Sequence, residues 1–210
     1  MTFPVQVTAG KLFNALEGVV YLTDPDGTIL AVGEQGWTRF AVDNGASGLT
    51  SDSVIGMSIF TALAGESVVD AYRRLHAAVV SGRRAEITFE YRCDSPIAER
   101  LMRTSITGIT GDTAVVAVLY QSQMLSEVAR PAIRLFARDT KAARKHPEEA
   151  EQPVPLCSFC QRLLWRPTEG GRSARWIAAA EFVQAGGDAD TTLVETICQE
   201  CADQVVAPNV

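Results

Sequence analysis

The sequence predicts an α+β chain: an antiparallel five-stranded sheet with helices on one face, then a helical linker into a small module organised by cysteines. Three observations predict it. Two β-prone runs flank an Asp24-Pro25-Asp26-Gly27 turn, and three further strand-like runs follow a central helical pattern. Of the five cysteines, all but Cys93 fall near the C-terminal end as two Cys-x-x-Cys pairs. The 210 residues are 47% hydrophobic and 21% charged, enough apolar material to bury a core, which argues against extensive disorder.

Each element has its own signal. Thr8 is placed to cap a short helix carrying Leu12, Phe13 and Leu16 on one face. Val19–Thr23 and Thr28–Val32 read as the first hairpin: Pro25 presets φ for the turn, and Gly27 accepts a positive φ. Short helices and loops are expected around Trp37 to Thr50. From Ser67 to Val80 the residues Val68, Val69, Tyr72, Leu75 and Val79 recur at helical spacing, and Ser81-Gly82 stops that helix. In Ala85–Arg92, Ile87, Phe89 and Tyr91 alternate with polar residues, as in a half-buried strand. Leu101–Thr107 alternates more weakly. Ala114–Tyr120 is continuously apolar and reads as a central strand, with a turn at Gly111-Asp112 before it.

This order, with these residues, resembles a PAS sensor domain over roughly Leu16 to Gln121. The residues that carry the resemblance are Leu22–Ile29 in the hairpin, Ile55-Gly56-Met57-Ser58-Ile59-Phe60 opening the central helical region, and Tyr91-Arg92-Cys93-Asp94-Ser95-Pro96 with Arg100. The last run is similar to a PAS subgroup with a cysteine-rich tail. The resemblance implies a PAS-like sensor domain over residues 1–121.

Residues 122–153 read as an amphipathic helix and charged linker. Pro131 suits a first helical turn, and Ala132, Leu135, Phe136 and Ala143 fall near one face. Arg130, Arg134, Arg138, Lys141, Arg144 and Lys145 are opposed only by Asp139. That run reads as a solvated face or as a contact for an acidic partner or nucleic acid. The net charge of −6 argues against broad attraction to nucleic acid.

Residues 154–210 form the third segment. Cys157-x-x-Cys160 and Cys198-x-x-Cys201 each set two thiolates on one tight turn, and together they make a tetrahedral four-cysteine shell for structural zinc. The stretch from Gln161 to Ile197 leaves room for a hairpin and a short helix around Trp176 to Val183. Cys198 and Cys201 open a helix over Gln199–Val206, a treble-clef-like arrangement whose helix N-terminus favours thiolates. Separate redox dithiols and a rubredoxin-like iron site are the competing readings, so zinc against iron stays open here. The tail also resembles the subgroup's pattern in Leu156-Cys157-Ser158-Phe159-Cys160, Trp176 and Ile197-Cys198-Gln199-Glu200-Cys201. It departs at Val194-Glu195-Thr196, where the subgroup commonly has Thr-His-Gly. Arg162, Arg166, Arg172 or Arg175 is expected to offset the charge of four thiolates, and a small core is expected around Trp165, Trp176, Ile177, Phe182 and Leu193.

Other reactive residues are assigned packing roles. His76 lies late in its helix, whereas the haem ligand of PAS haem proteins sits near the helix start; a surface or hydrogen-bonded histidine is expected. The run Gly56–Phe60 lacks the cysteine of flavin photosensors. Cys93 reads as a packing residue, with a thiol sensor as the alternative. Arg92, Asp94 and Arg100 are expected to pair across the Asp94-Ser95-Pro96 turn.

These readings point to a non-enzymatic signalling protein with no catalytic residues. The PAS-like module senses a ligand or partner of unknown identity, and the zinc module contacts another macromolecule, expected to be a signalling protein. Leu12, Phe13 and Leu16 are expected to form a homodimer seam. A nucleic-acid regulator and a redox or haem sensor are the alternatives. No apolar run approaches the roughly 20 residues that span a bilayer, and the N-terminal MTFPVQVTAG lacks secretory-signal character. A cytoplasmic location is therefore expected, where cysteines stay reduced and bind metal.

Overall fold

The computed structural model describes residues 8–137, 153–167 and 173–210. Helix α1 (Ala9–Asn14) starts at Thr8, whose side chain accepts a hydrogen bond from the Lys11 amide. Strands β1 (Val19–Thr23) and β2 (Ile29–Val32) form the expected hairpin. Its turn is closed by Asp24, whose carboxylate accepts from the Thr28 amide at 2.7 Å and the Asp26 amide at 3.0 Å. Gly27 sits at φ 86°, the left-handed region that favours glycine.

Helices α2 (Glu34–Asp43) and α3 (Ser51–Val54) follow, then a 3₁₀ turn over Ile59–Thr61 and the long helix α4 (Glu66–Val80). The Gly56–Phe60 run does not lead straight into α4. It lies along β2, with the Ile29 amide donating to Met57 O and the Gly56 amide to Ile29 O. Helix α4 buries Val68, Ala71, Leu75, Ala78 and Val79 on the face the periodicity marked.

Strands β3 (Glu86–Arg92), β4 (Ala98–Thr110) and β5 (Val115–Ala129) complete an antiparallel sheet ordered β2-β1-β5-β4-β3. β5 is central, as its apolar run required. This is the PAS-like five-stranded sheet with helices on one face.

The second segment departs from expectation. β5 runs on past Gln121 to Ala129, paired with β4 down to Ala98, because its later residues continue the ladder instead of leaving it. Pro131 opens no α-helix: the chain makes a 3₁₀ turn at Arg134–Phe136 that buries Leu135 and Phe136. The rest of the expected helix and linker, 138–152, lies outside the described residues.

The tail forms a second sheet of β6 (Val154–Cys157), β7 (Leu163–Trp165), β8 (Arg175–Ile177) and β9 (Leu193–Thr196), ordered β8-β7-β6-β9, with β6 and β9 parallel. Helices α5 (Ala179–Gln184) and α6 (Gln199–Cys201) accompany it, and the chain stays helical beyond α6 through Asn209.

The tail does not stand on a core of its own alone. A small cluster does gather Leu156, Leu163, Ile177 and Phe182, with Trp165 and Leu193 against it. The cysteine side instead joins the main core: Cys157, Phe159, Cys198 and Cys201 share one cluster with Leu75, Phe89 and Tyr120, and Trp176 packs there too. A few apolar residues bury too little area to hold a fifty-residue unit, so the tail borrows the surface of α4 and β3.

Candidate metal centre and the neighbouring pocket

The structure brings all four cysteines of the two pairs together. Their sulfurs lie within 4.8 Å of one another, and Cys160 Sγ is 3.8 Å from Cys198 Sγ. A tetrahedral ion with metal–sulfur bonds of about 2.3 Å requires sulfur–sulfur edges of about 3.8 Å. The donor set therefore fits a metal ion, and four thiols can hold one.

Local structure explains the fit. Cys157 ends β6, and a turn carries the chain to Cys160 and back into β7. The Cys157 amide donates to Arg162 O at 2.9 Å, and the Gln161 amide to Cys157 O at 2.8 Å. Gln161 takes φ 58°, uncommon for a residue with a side chain, so that the turn can close. On the other side, Cys198 caps α6, and its amide donates to Cys157 Sγ at 3.4 Å.

Charge is distributed unevenly among the thiols. Hydrogen bonds from the Cys157 and Cys201 thiols, with Arg162 Nε donating at 3.2 Å, hold the Cys160 thiol far below its usual range. Donating a hydrogen bond to that thiolate pushes the Cys157 thiol up to about 11, and Cys201 rises further. Full ligation thus has to displace protons that the thiols otherwise keep. Of the arginines expected to offset the charge, Arg162 does so and also pairs with Glu200. Arg175 pairs with Glu181 at 2.9 Å instead, and Arg172 lies outside the described residues.

The centre is anchored along the whole of α4. Phe159, between the first two cysteines, is 3% exposed; its ring stacks on Tyr72 with centroids 6.1 Å apart and meets Phe89 at 5.4 Å. The Arg92 amide donates to Phe159 O at 2.7 Å, which covers the end of the β3 edge. At the start of α4, Gly65 (φ 84°) lies so close to β9 that a Cβ there would sit 2.1 Å from Glu195 O. Ser67 Oγ and Thr196 Oγ1 are 3.0 Å apart. Beyond the far end, Arg84 bonds Pro208 O. The departing Val194-Glu195-Thr196 run is thus occupied in docking, and Glu195 also accepts from Ser158 at 2.9 Å.

On the other side of Tyr72, a pocket of about 240 Å³ opens between the helices and the sheet. Tyr21, Trp37, Tyr72 and Tyr91 are among its lining residues, with Thr104 and Ser122 on the sheet. Its shape depends on residues drawn from both helices and strands across the whole module, and no local motif marks it.

The remaining sequence assignments resolve as follows. His76 is buried: Nε2–H donates to Pro25 O at 3.0 Å, so Nδ1 accepts from Tyr120 OH at 2.8 Å. Burial lowers its pKa below the usual histidine value. Both nitrogens being used, it fits no haem. His146 lies outside the described residues. Cys93 is half-buried at the end of β3, its amide donating to Arg100 O at 3.0 Å. Asp94, its side chain 2% exposed, accepts from Arg92 at 2.6 Å as expected. Its other cation is Arg130, at 2.9 Å, not Arg100, whose guanidinium pairs with Glu127. The extension of β5 is what brings Arg130 there, a non-local consequence. Of the expected seam, Leu12 and Leu16 are exposed, whereas Phe13 is buried against the chain itself. Among the described residues no helix is long and apolar enough to cross a membrane.

No family model matches the chain, and no curated protein matches it. Solved structures do. The PAS domain of BvgS from Bordetella pertussis aligns with TM-score 0.44 and 12% identity, covering 64% of this chain and 88% of that one. The photoactive yellow protein domain of the sensor histidine kinase Ppr from Rhodospirillum centenum aligns with TM-score 0.42 and 18% identity, covering 55% and 93%. A sensory box sensor histidine kinase from Vibrio cholerae aligns with TM-score 0.40 and 11% identity, covering 55% and 87%.

Proposed function

We propose that this chain is a non-enzymatic, cytoplasmic signalling protein of the PAS subgroup with a cysteine-bearing tail. Its PAS-like module senses a small molecule or partner. Its tail holds a structural zinc ion and presents a surface to another macromolecule. A closed set of four thiolates leaves no position for a reacting ligand, so the metal's role is to fix the tail.

The observation that supports this reading best is the placement of Tyr72. It lines the pocket and stacks on Phe159 of the cysteine turn. A change in the pocket is then passed to the tail through α4 itself. Leu12 and Leu16 are the exposed residues left for a seam between two copies.

Native mass spectrometry of the full chain as purified tests the reading, because it reports metal, retained small molecule and oligomeric state together. One zinc ion per chain and a colourless protein are expected. Iron or haem absorbance overturns the assignment of the metal as structural zinc.

A further inference from the structure

Resting on the sensory reading above, the pocket also constrains what it can bind. We propose that it takes a compact, uncharged, largely aromatic molecule that presents one hydrogen-bond donor to the hydroxyl groups of Thr104 and Ser122.

Size comes first. About 240 Å³ is below the roughly 300–1,000 Å³ of sites for drug-sized ligands, so a flavin or haem is too large. Charge comes second. None of the described residues lining the pocket is charged. A carboxylate, phosphate or ammonium would lose its hydration there with no counter-charge, which is costly. Shape comes third. Tyr21 and Trp37 meet edge to face with centroids 6.1 Å apart, and Tyr72 of α4 also lines the pocket. Walls made of rings favour a flat, polarisable guest, because offset and edge-on contacts between rings are attractive.

The polar end sets the donor. Thr104 Oγ1 and Ser122 Oγ are 2.6 Å apart on the sheet side of the pocket. Each hydroxyl carries one proton and more than one acceptor site. The bond between the two uses one proton and leaves three lone pairs against one free proton. An N–H or O–H on the guest fills that surplus; a guest with only acceptors is limited to the single remaining proton.

The test uses the zinc-loaded full chain, titrated calorimetrically with indole, N-methylindole and indole-3-carboxylate. Indole is expected to bind, N-methylindole about tenfold more weakly because it lacks the donor, and the carboxylate not measurably. In the Thr104→Val/Ser122→Ala double variant, checked for native circular dichroism, the preference for indole over N-methylindole is expected to vanish. That ratio does not depend on overall stability. Binding of the acid, or of N-methylindole, as tightly as indole overturns the proposal and leaves the sensory reading standing. Failure of all three to bind overturns the proposal; the sensory reading falls with it only if native mass spectrometry also finds no retained molecule.

Discussion

Pocket and thiol cluster are neighbours across Tyr72, yet they are held by different physics. The pocket is framed by rings and hydroxyls whose contacts are individually weak and spread over many elements. The thiol cluster concentrates its binding in four sulfurs on two short turns. Loss of one wall is expected to be tolerated by the first, and loss of one ligand not by the second. Because Phe159 stacks on Tyr72 and meets Phe89, however, the stiff site braces the soft one.

The strongest way to break this contrast is to remove the proposed metal. Chelation, or Cys201→Ser, is expected to abolish stoichiometric metal binding and to expose the amides of 154–206 to exchange, since ligation supplies much of a small metal module's folding free energy. The shared core adds a sharper expectation: amides of α4 and β3 exchange faster as well. Hydrogen–deuterium exchange with and without chelator decides it. Fast exchange confined to the tail would mean that the pocket stands unbraced.

Asp94→Ala strikes a point outside both sites. It removes the buried carboxylate that Arg92 and Arg130 share, leaving both with the more exposed Glu99 at 3.1 and 3.6 Å, and is expected to cost about 3 kcal/mol in urea unfolding. Arg100→Ala, which removes only the pair with half-exposed Glu127, is expected to cost about 1 kcal/mol or less. Equal losses would contradict the assignment of Arg130 as the second partner.

Phe159→Ala separates bracing from ligation. All four cysteines remain, so metal stoichiometry is expected to hold, while stability falls by about 3 kcal/mol through the cavity left beside Tyr72. The chelator-dependent change in α4 exchange should shrink with it. Loss of the metal in this variant would show that the ring positions the ligands rather than bracing the helix.

The smallest expected effect is on pH dependence. His76 is held neutral, burial lowering its pKa, so the unfolded chain binds the proton more readily. Its contribution is fully present above the unfolded value of about 6.5 and is lost as pH falls through the lower folded value. His76→Gln should flatten stability against pH in that window. An unchanged slope would mean that other groups govern it.

Much of this was legible in the chain itself. Asp24-Pro25-Asp26-Gly27 wrote its own turn, and the spacing of Val68, Leu75 and Val79 wrote the buried face of α4. Two Cys-x-x-Cys pairs announced four convergent sulfurs. These are local signals: a turn residue, a period of 3.6 and a two-residue gap each act over a few bonds. Arg130 shows where such signals stop. Its basic, helix-like neighbourhood said nothing of Asp94, because the partner is met only when β5 extends along β4. Likewise nothing in the Leu156–Cys160 run placed Phe159 against Tyr72 and Phe89.

By itself, then, the sequence determined which residues turn, which face inward and which sulfurs can share an ion, since those follow from backbone preference, periodicity and ligand spacing. Only the tertiary structure decided that the tail lies along α4, that β9 approaches Gly65 too closely for a side chain there, and that a pocket lies behind Tyr72. Those depend on close packing between surfaces distant in sequence, where a fit of a few ångströms is set by every element at once.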